Sequence, residues 1–229
     1  LYADNIHGLA ESNELMSEVK GVCEESDVVI AVLGLDAGLE GEEGDTGNEF
    51  ASGDKPDLRL PEVQRVLLQK LKDTGKPLII VLAAGSSVNT ECEGNALINA
   101  WYPGQYGGKA LAEILFGEVS PSGKLPVTFY KSADMLPDFT DYSMKNRTYR
   151  FCDDESNVLY PFGYGLSYSD FEYVSMEVSE KGACLFEVKA VIRNVSDIGG
   201  KEAVQLYIHG KGNSVRHGGG CISLGNVLF

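Results

Sequence analysis

Two short runs, "VVIAVLGL" (residues 28–35) and "LIIVLAAG" (residues 78–85), are almost wholly aliphatic and β-branched. Strands without polar alternation are buried on both faces, and such strands belong to parallel sheets covered by helices. The chain between them fits that demand. Residues 61–72 open on a proline and then place Val63, Val66, Leu67 and Leu71 at helical spacing. Upstream, residues 11–25 carry Leu15, Val19 and Val22 at the same spacing and predict another helix. Downstream, residues 97–101 read as a short strand, residues 109–116 as a helix stopped by Gly117, and "KLPVTFY" (residues 124–130) as a further strand. The βαβαβ order predicts an α/β fold over residues 1–130: an open, mostly parallel sheet flanked by helices.

The texture then changes twice. Residues 131–165 are rich in aromatics, Pro, Gly and Asp without a sustained period, and read as an ordered connector. Residues 166–229 turn to β patterning. "CLFEVKAVIRNV" alternates, with Phe186, Val188, Ala190 and Ile192 on one face, and "AVQLYIHG" reads as the next strand. This predicts a partial β-sandwich, since about 60 residues fall short of the roughly 100 that such a sandwich usually takes. The glycine-rich tail, residues 209–229, is weakly patterned.

Charge narrows the partners. The net charge is −15, whereas nucleic-acid binding needs clustered Lys and Arg. No apolar run approaches the ~18 residues of a membrane helix. Neither a nucleic-acid nor a membrane partner is expected. The five scattered cysteines show no metal spacing and read as reduced thiols, which favours the cytoplasm.

The chemistry concentrates between the two aliphatic runs. Residues 36–57 hold eight carboxylates and one lysine, with "GLEGEEGDTG" (residues 38–47) at their centre. Long irregular loops in compact domains are functional or disordered, and ligands of open α/β sheets sit outside the carboxyl ends of the strands. Four readings compete: a solvated acidic loop, a phosphate loop, a Ca²⁺ loop and a general acid/base carboxyl. A pyrophosphate would be repelled by Glu40, Glu42 and Glu43, and the glycine spacing is not GxGxxG. The EF-hand order of ligands is absent. A general acid must hold its proton, and crowded, partly buried carboxylates raise one another's pKa. Composition by itself does not pick the residue.

Five ordered motifs then carry a resemblance: "GKPLIIVLAAGS", "WYPGQYGG", "LAEILFGEVSPSGKLPVTFY", "LPDFTDYSMKNRTYRF" and "LYPFGYGLSYSDF". Over residues 10–208 the chain resembles the C-terminal α/β domain of glycoside hydrolase family 3, followed by the start of that family's fibronectin-III-like domain. The "LPDFTDYSM…RTYR" stretch resembles the bacterial β-xylosidase and β-glucosidase branch. The resemblance implies an exo-acting, retaining β-glycosidase whose substrates are oligosaccharides or aryl β-glycosides. It needs no metal or cofactor. Its aspartate nucleophile sits in an N-terminal barrel and its acid/base glutamate in a loop of the α/β domain. Carried onto "LEGEEG", the acid/base falls on Glu42, with Glu43 and Glu40 as alternates. "SGDKPDLRLPEVQ" resembles the family's Gly-Asp-Arg…Leu-Pro…Gln pattern and implies substrate contacts from Asp54 and Lys55. Lys55 stands where Arg is usual, which removes the bidentate geometry of a guanidinium.

These residues contain no barrel, so the chain is expected to be half of an active site and inactive alone. The competing reading is a non-catalytic carbohydrate-binding or interaction module. Trp101, Tyr102 and Tyr106 read as part of a Pro-Gly turn, and Tyr142, Arg147 and Tyr149 as domain packing.

Overall fold

The computed structural model describes residues 13–36, 38–40, 55–152, 155–183, 185–207 and 227–228. Helix α1 (Asn13–Glu24) leads into strand β1 (Val29–Gly34), and helix α2 (Glu62–Asp73) leads into β2 (Leu78–Ala83). Strand β3 (Ala96–Asn99) completes a parallel sheet of order β1-β2-β3. Val29 is level with Leu78, and Gly34 with Ala83. The expected α/β class and parallel sheet are present. The βαβαβ alternation holds for the first crossover only, because the helix at Gly107–Leu115 leads into a strand that lies outside this parallel sheet.

Local signals explain the second helix. Pro61 sits at its N-cap with φ −50°, Glu62 lies at its positive end, and Lys70 and Lys72 lie at its negative end. Gly75, at φ +70°, takes the left-handed conformation that ends it, and its N–H donates to Lys72 O.

The core lies between these helices and one face of the sheet. Leu68 and Leu71 of α2 pack with Cys23 of α1, Ala31 of β1 and Leu78, Ile80 and Leu82 of β2. Leu68 and Ile80 are wholly buried, and each such side chain contributes about 1.5–3 kcal/mol of transfer free energy. On α1 the packed pair is Val19 and Cys23, four residues apart. Val22, expected on the same face, is 54 % exposed, because it lies about 100° round the helix from Cys23.

Strand β1 alternates. Ala31 is buried, whereas Ile30 and Val32 on the opposite face are 49 % and 61 % exposed. The aliphatic run predicts cover on both faces. Among the described residues that cover reaches both faces only at the central strand, where Ile80 and Val81 are both buried.

Helix α3 (Gly107–Leu115) ends as expected, with Gly117 at φ +74° donating to Ile114 O. The strand predicted over residues 124–130 shrinks to β4 (Phe129–Tyr130), which pairs with β5 (Val158–Tyr160) rather than with the main sheet. Pro126 lacks a ladder donor, and Leu125 instead exchanges 2.8 Å hydrogen bonds with Gly163 and Tyr164. A short helix, α4 (Thr148–Phe151), lies between β4 and β5 in sequence. Strands β6 (Phe171–Gly182) and β7 (Leu185–Asn194) form a long antiparallel hairpin, in which Val188 is level with Val178 and Ala190 with Met176. Among the described residues of the strand predicted at "AVQLYIHG", β8 (Ala203–Val204) forms, paired with β9 (Val227–Leu228). The rest of the tail lies outside the described residues.

The Cα positions divide the chain into two compact units. One comprises Leu1–Gly108, Phe129–Leu136 and Ser156–Leu159; the other comprises Lys109–Thr128, Pro137–Glu155 and Tyr160–Phe229. The segment read as a connector, residues 131–165, is shared between them.

Leu68→Ala is expected to lower stability by about 2–5 kcal/mol, read as a fall in the urea midpoint. Val22→Ala is expected to stay within about 0.5 kcal/mol. An equal cost for both would contradict the packing of α1 described above.

Candidate active site

The site is built where β1 ends. Gln64 of α2 grips that end with both amide atoms: Gly34 N–H donates to its Oε1 at 3.0 Å, and its Nε2 donates to Gly34 O at 2.8 Å. Gly34 lies so close to β2 that a Cβ there would stand 1.7 Å from Ala83 O, so no larger residue fits. Leu35 N–H still donates to Ala83 O, and the chain then turns sharply. Asp36 drives the turn. Its Oδ1 accepts from Gly38 and Leu39 N–H at 2.9 and 3.0 Å, and its carbonyl accepts from Glu40 N–H at 2.8 Å. Leu39 is buried at 2 % exposure and pins the turn from below.

That turn brings the Glu40 carboxylate back over the end of β2. Gly85 N–H donates to Oε2 at 2.9 Å, Ser86 Oγ–H donates to Oε1, and the Tyr102 phenol donates to Oε2. A Cβ on Gly85 would meet the Tyr102 ring at 2.8 Å and Glu40 Oε2 at 2.9 Å, so glycine is needed for this close approach. Tyr102 is aimed by strain in the residue before it. Trp101 sits at φ +53°, a left-handed conformation that costs a bulky residue about 1–3 kcal/mol. Its indole packs edge-on against Phe129, with ring centroids 6.1 Å apart.

The electrostatics follow from these contacts. Partial burial pushes the Glu40 pKa up, but the Ser86, Tyr102 and Gly85 donors and the charge of Lys55 together bring it below its ordinary value. Burial, and then the Glu40 anion, push the Tyr102 phenol up to about 12. Lys55 donates to Ser87 O at 3.1 Å. Its burial lowers its pKa in spite of the nearby Glu40 and Asp57 carboxylates. Asp57 is held as an anion chiefly by the Arg59 guanidinium, which reaches it at 2.7 and 2.9 Å. Leu35, Leu39, Lys55, Asp57, Leu60 and Arg65 line a shallow cavity of about 200 Å³, smaller than the ~300–1,000 Å³ of typical ligand sites.

Of the residues singled out in the sequence, the structure brings Glu40 and Lys55 together. Glu42, Glu43 and Asp54 lie outside the described residues. Tyr102, Ser86, Gly85 and Gln64 belong to the site but were not singled out as site residues. Their signals were slight: a glycine followed by serines at the end of an aliphatic strand, an aromatic ahead of Pro-Gly, and the last residue of "LPEVQ". In the second unit, Arg147 donates to the carbonyls of Pro137 and Asp138, and Tyr149 stacks on Phe162 at 4.3 Å. Among the described residues no three His, Cys, Asp or Glu side chains gather to hold a metal ion.

The chain is similar to known proteins along most of its length. The model of the glycosyl hydrolase family 3 C-terminal domain matches residues 2–168. The chain belongs to that family. It is 45 % identical over 201 residues to a xylan 1,4-beta-xylosidase of Xylanibacter ruminicola, covering 85 % of this chain and 22 % of the relative. It is 31 % identical over 212 residues to a periplasmic beta-glucosidase of Salmonella typhimurium, covering 85 % of this chain and 26 % of the relative. The crystal structure of a Bifidobacterium adolescentis GH3 beta-glucosidase superposes with a TM-score of 0.83 at 29 % identity, over 98 % of this chain and 34 % of that one. This family 3 chain thus spans about a quarter of the length of the curated relatives it matches.

Two titrations check the Glu40 cluster. Because the Glu40 pKa is depressed from 4.5, its stabilisation is complete above that pH and is lost as pH falls through the folded value. Glu40→Gln is expected to flatten the decline of the urea midpoint below pH 4.5. Tyr102 is the opposite case: its raised pKa favours the neutral phenol up to high pH. The phenolate absorbance lost in Tyr102→Phe should titrate at about 12 in the parent chain and lower in Glu40→Gln, with the part due to burial remaining. An unchanged titration would mean that the phenol does not meet the carboxylate.

Proposed function

We propose that the chain contributes the general acid/base to an exo-acting, retaining β-glycosidase. That enzyme removes terminal β-linked xylose or glucose from oligosaccharides and aryl β-glycosides. The nucleophilic aspartate of this reading comes from a barrel domain outside the present sequence. One observation supports the reading best. A long acidic segment follows the carboxyl end of β1 in a family 3 C-terminal domain, and one of its first carboxylates, Glu40, is already engaged by three donors. A carboxylate held as an anion in this way is suited to anchoring and not to proton donation. The proton donor is then Glu42, which follows a glycine as the family's acid/base does, with Glu43 beside it as the alternate. Asp54 is the carboxylate proposed to accept hydrogen bonds from sugar hydroxyls. Xylose is favoured over glucose, because the 45 % identical relative bears a xylosidase name.

The mechanism needs two carboxyl groups about 5–5.5 Å apart across the glycosidic bond. Glu42 in its acid form gives its proton to the glycosidic oxygen while the aspartate attacks the anomeric carbon. The carbon–oxygen bond breaks and a glycosyl ester forms. Glu42, now a carboxylate, takes a proton from water as the water oxygen attacks the anomeric carbon and releases the aspartate. A free glutamate has a pKa near ~4.3, so the acid needs neighbouring negative charge or burial to keep its proton near neutrality. The adjacent carboxylates of the same loop supply such charge.

With the chain joined to a family 3 barrel domain, Glu42→Ala is expected to slow hydrolysis of nitrophenyl β-xyloside by about 10²–10⁴-fold. Azide is expected to restore turnover of substrates with good leaving groups, by attacking the glycosyl ester in place of activated water. Unchanged turnover in Glu42→Ala would overturn the assignment.

A further inference from the structure

The two ends of the acidic loop are fastened to one tripeptide. Glu40 accepts from Gly85 N–H at 2.9 Å and from the Ser86 hydroxyl, and Lys55 donates to Ser87 O at 3.1 Å. Glu40 and Lys55 are fifteen positions apart in the chain, yet they bind three consecutive residues. Gly85–Ser87 begin two residues after β2 ends at Ala83. Rigid elements back this tie from each side. Asp36 and buried Leu39 fix the approach to Glu40. After Lys55, Leu60 is buried, and Asn89 N–H donates to Leu58 O at 2.6 Å. Tyr102, aimed by the strained Trp101, supplies the third donor to Glu40.

We propose that Glu40 and Lys55 are positioning residues that tie the root of the acid/base loop to Gly85–Ser87 and thereby set where Glu42 can reach. The inference rests on the reading of Glu42 as the acid/base. The physical argument is one of tethering. Two residues of chain span at most about 7 Å, so an immobile Glu40 confines the Cα of Glu42 to that radius. Fastening both ends also removes chain freedom that a free loop would otherwise lose on each approach of substrate. The bonds are suited to the task. Three donors on one carboxylate are charge-assisted and roughly twice as strong as neutral hydrogen bonds, and Gly85 admits the carboxylate only because it lacks a Cβ. Lys55 near the same carboxylate adds attraction between the two ends.

The relevant signature is a loss of acid catalysis without loss of the acid itself. Two substrates separate these effects: xylobiose, whose leaving group must be protonated, and dinitrophenyl β-xyloside, whose leaving group departs unaided. In the chain joined to its barrel domain, Glu40→Gln is expected to lower kcat/KM on xylobiose about 10²-fold, with a much smaller loss of kcat/KM on the dinitrophenyl substrate, whose glycosylation step needs no proton. Azide should not rescue it, because the Glu42 carboxylate is still present. Ser86→Ala should show the same pattern more weakly, and Ser86→Thr, which keeps the hydroxyl, should restore kcat/KM. On the chain alone, Gly85 amide exchange should quicken in Glu40→Ala while exchange in β2 stays unchanged. Equal losses on both substrates together with a lower Tm would mean a structural role only and would overturn the proposal. So would an unaltered kcat/KM in Glu40→Gln beside a collapsed Glu42→Ala. Azide rescue of Glu40→Gln, with none in Glu42→Ala, would make Glu40 the acid/base and overturn both readings. A silent Glu42→Ala beside an impaired Glu40→Gln would overturn the assignment of Glu42, and with it the role of the tie.

Discussion

The parallel pairing of β1 with β2, in the register that sets Gly34 level with Ala83, is the constraint on which the site depends. It brings the carboxyl ends of two strands to the same height. The chain leaving β1 and the chain leaving β2 therefore emerge side by side, and Asp36–Glu40 can fold back onto Gly85–Ser87. A register shifted by one residue would turn every side chain of β1 to the other face. The lock on that register is steric and polar at once. Gly34 fits against the Ala83 backbone only without a side chain, and Gln64 satisfies both backbone groups of Gly34 from the neighbouring helix. The apolar core formed by Leu68, Ile80 and Leu82 holds that helix in place.

On this frame, carboxylates of one loop meet different electrostatic environments. Glu40 is surrounded by donors and stays ionised, and Asp57 is neutralised by Arg59. Such groups act as fixed anions that hold backbone and cations in place. A general acid requires the reverse: few donors to its charged form and negative neighbours that favour the proton. Tyr102 belongs to the anchored part. Its phenol remains protonated far above neutrality and so remains a donor across the neutral range.

Much of the fold was legible because the signals were local. Uninterrupted aliphatic runs marked β1 and β2, proline marked the start of α2, and Gly117 marked the end of α3. The misreadings arose where partners were distant. The strand predicted at residues 124–130 shortened because Leu125 bonds to Gly163 and Tyr164, nearly forty positions away. Val22 kept its helical spacing but faced outward, since which side of α1 packs depends on where β1 and α2 stand. The site was legible as a crowd of acids after β1. Its donors were not, because Gly85 and Ser86 are unremarkable in sequence, Tyr102 read as part of a turn, and all three acquire their role from what lies opposite.

The sequence by itself determined the α/β class, the order of the first strands and helices, family membership through its ordered motifs, and the place along the chain where the carboxylates gather. Periodicity, turn chemistry and charge are properties of neighbouring residues, so they can be read without the fold. Only the tertiary structure decided that Glu40 is fastened, and by what. That fastening depends on hydrogen bonds between residues 40 and 102, or 55 and 87, which exist only when two parallel strands end together. A carboxylate's protonation state is set by the donors and charges around it in space, and its neighbours along the chain do not reveal them.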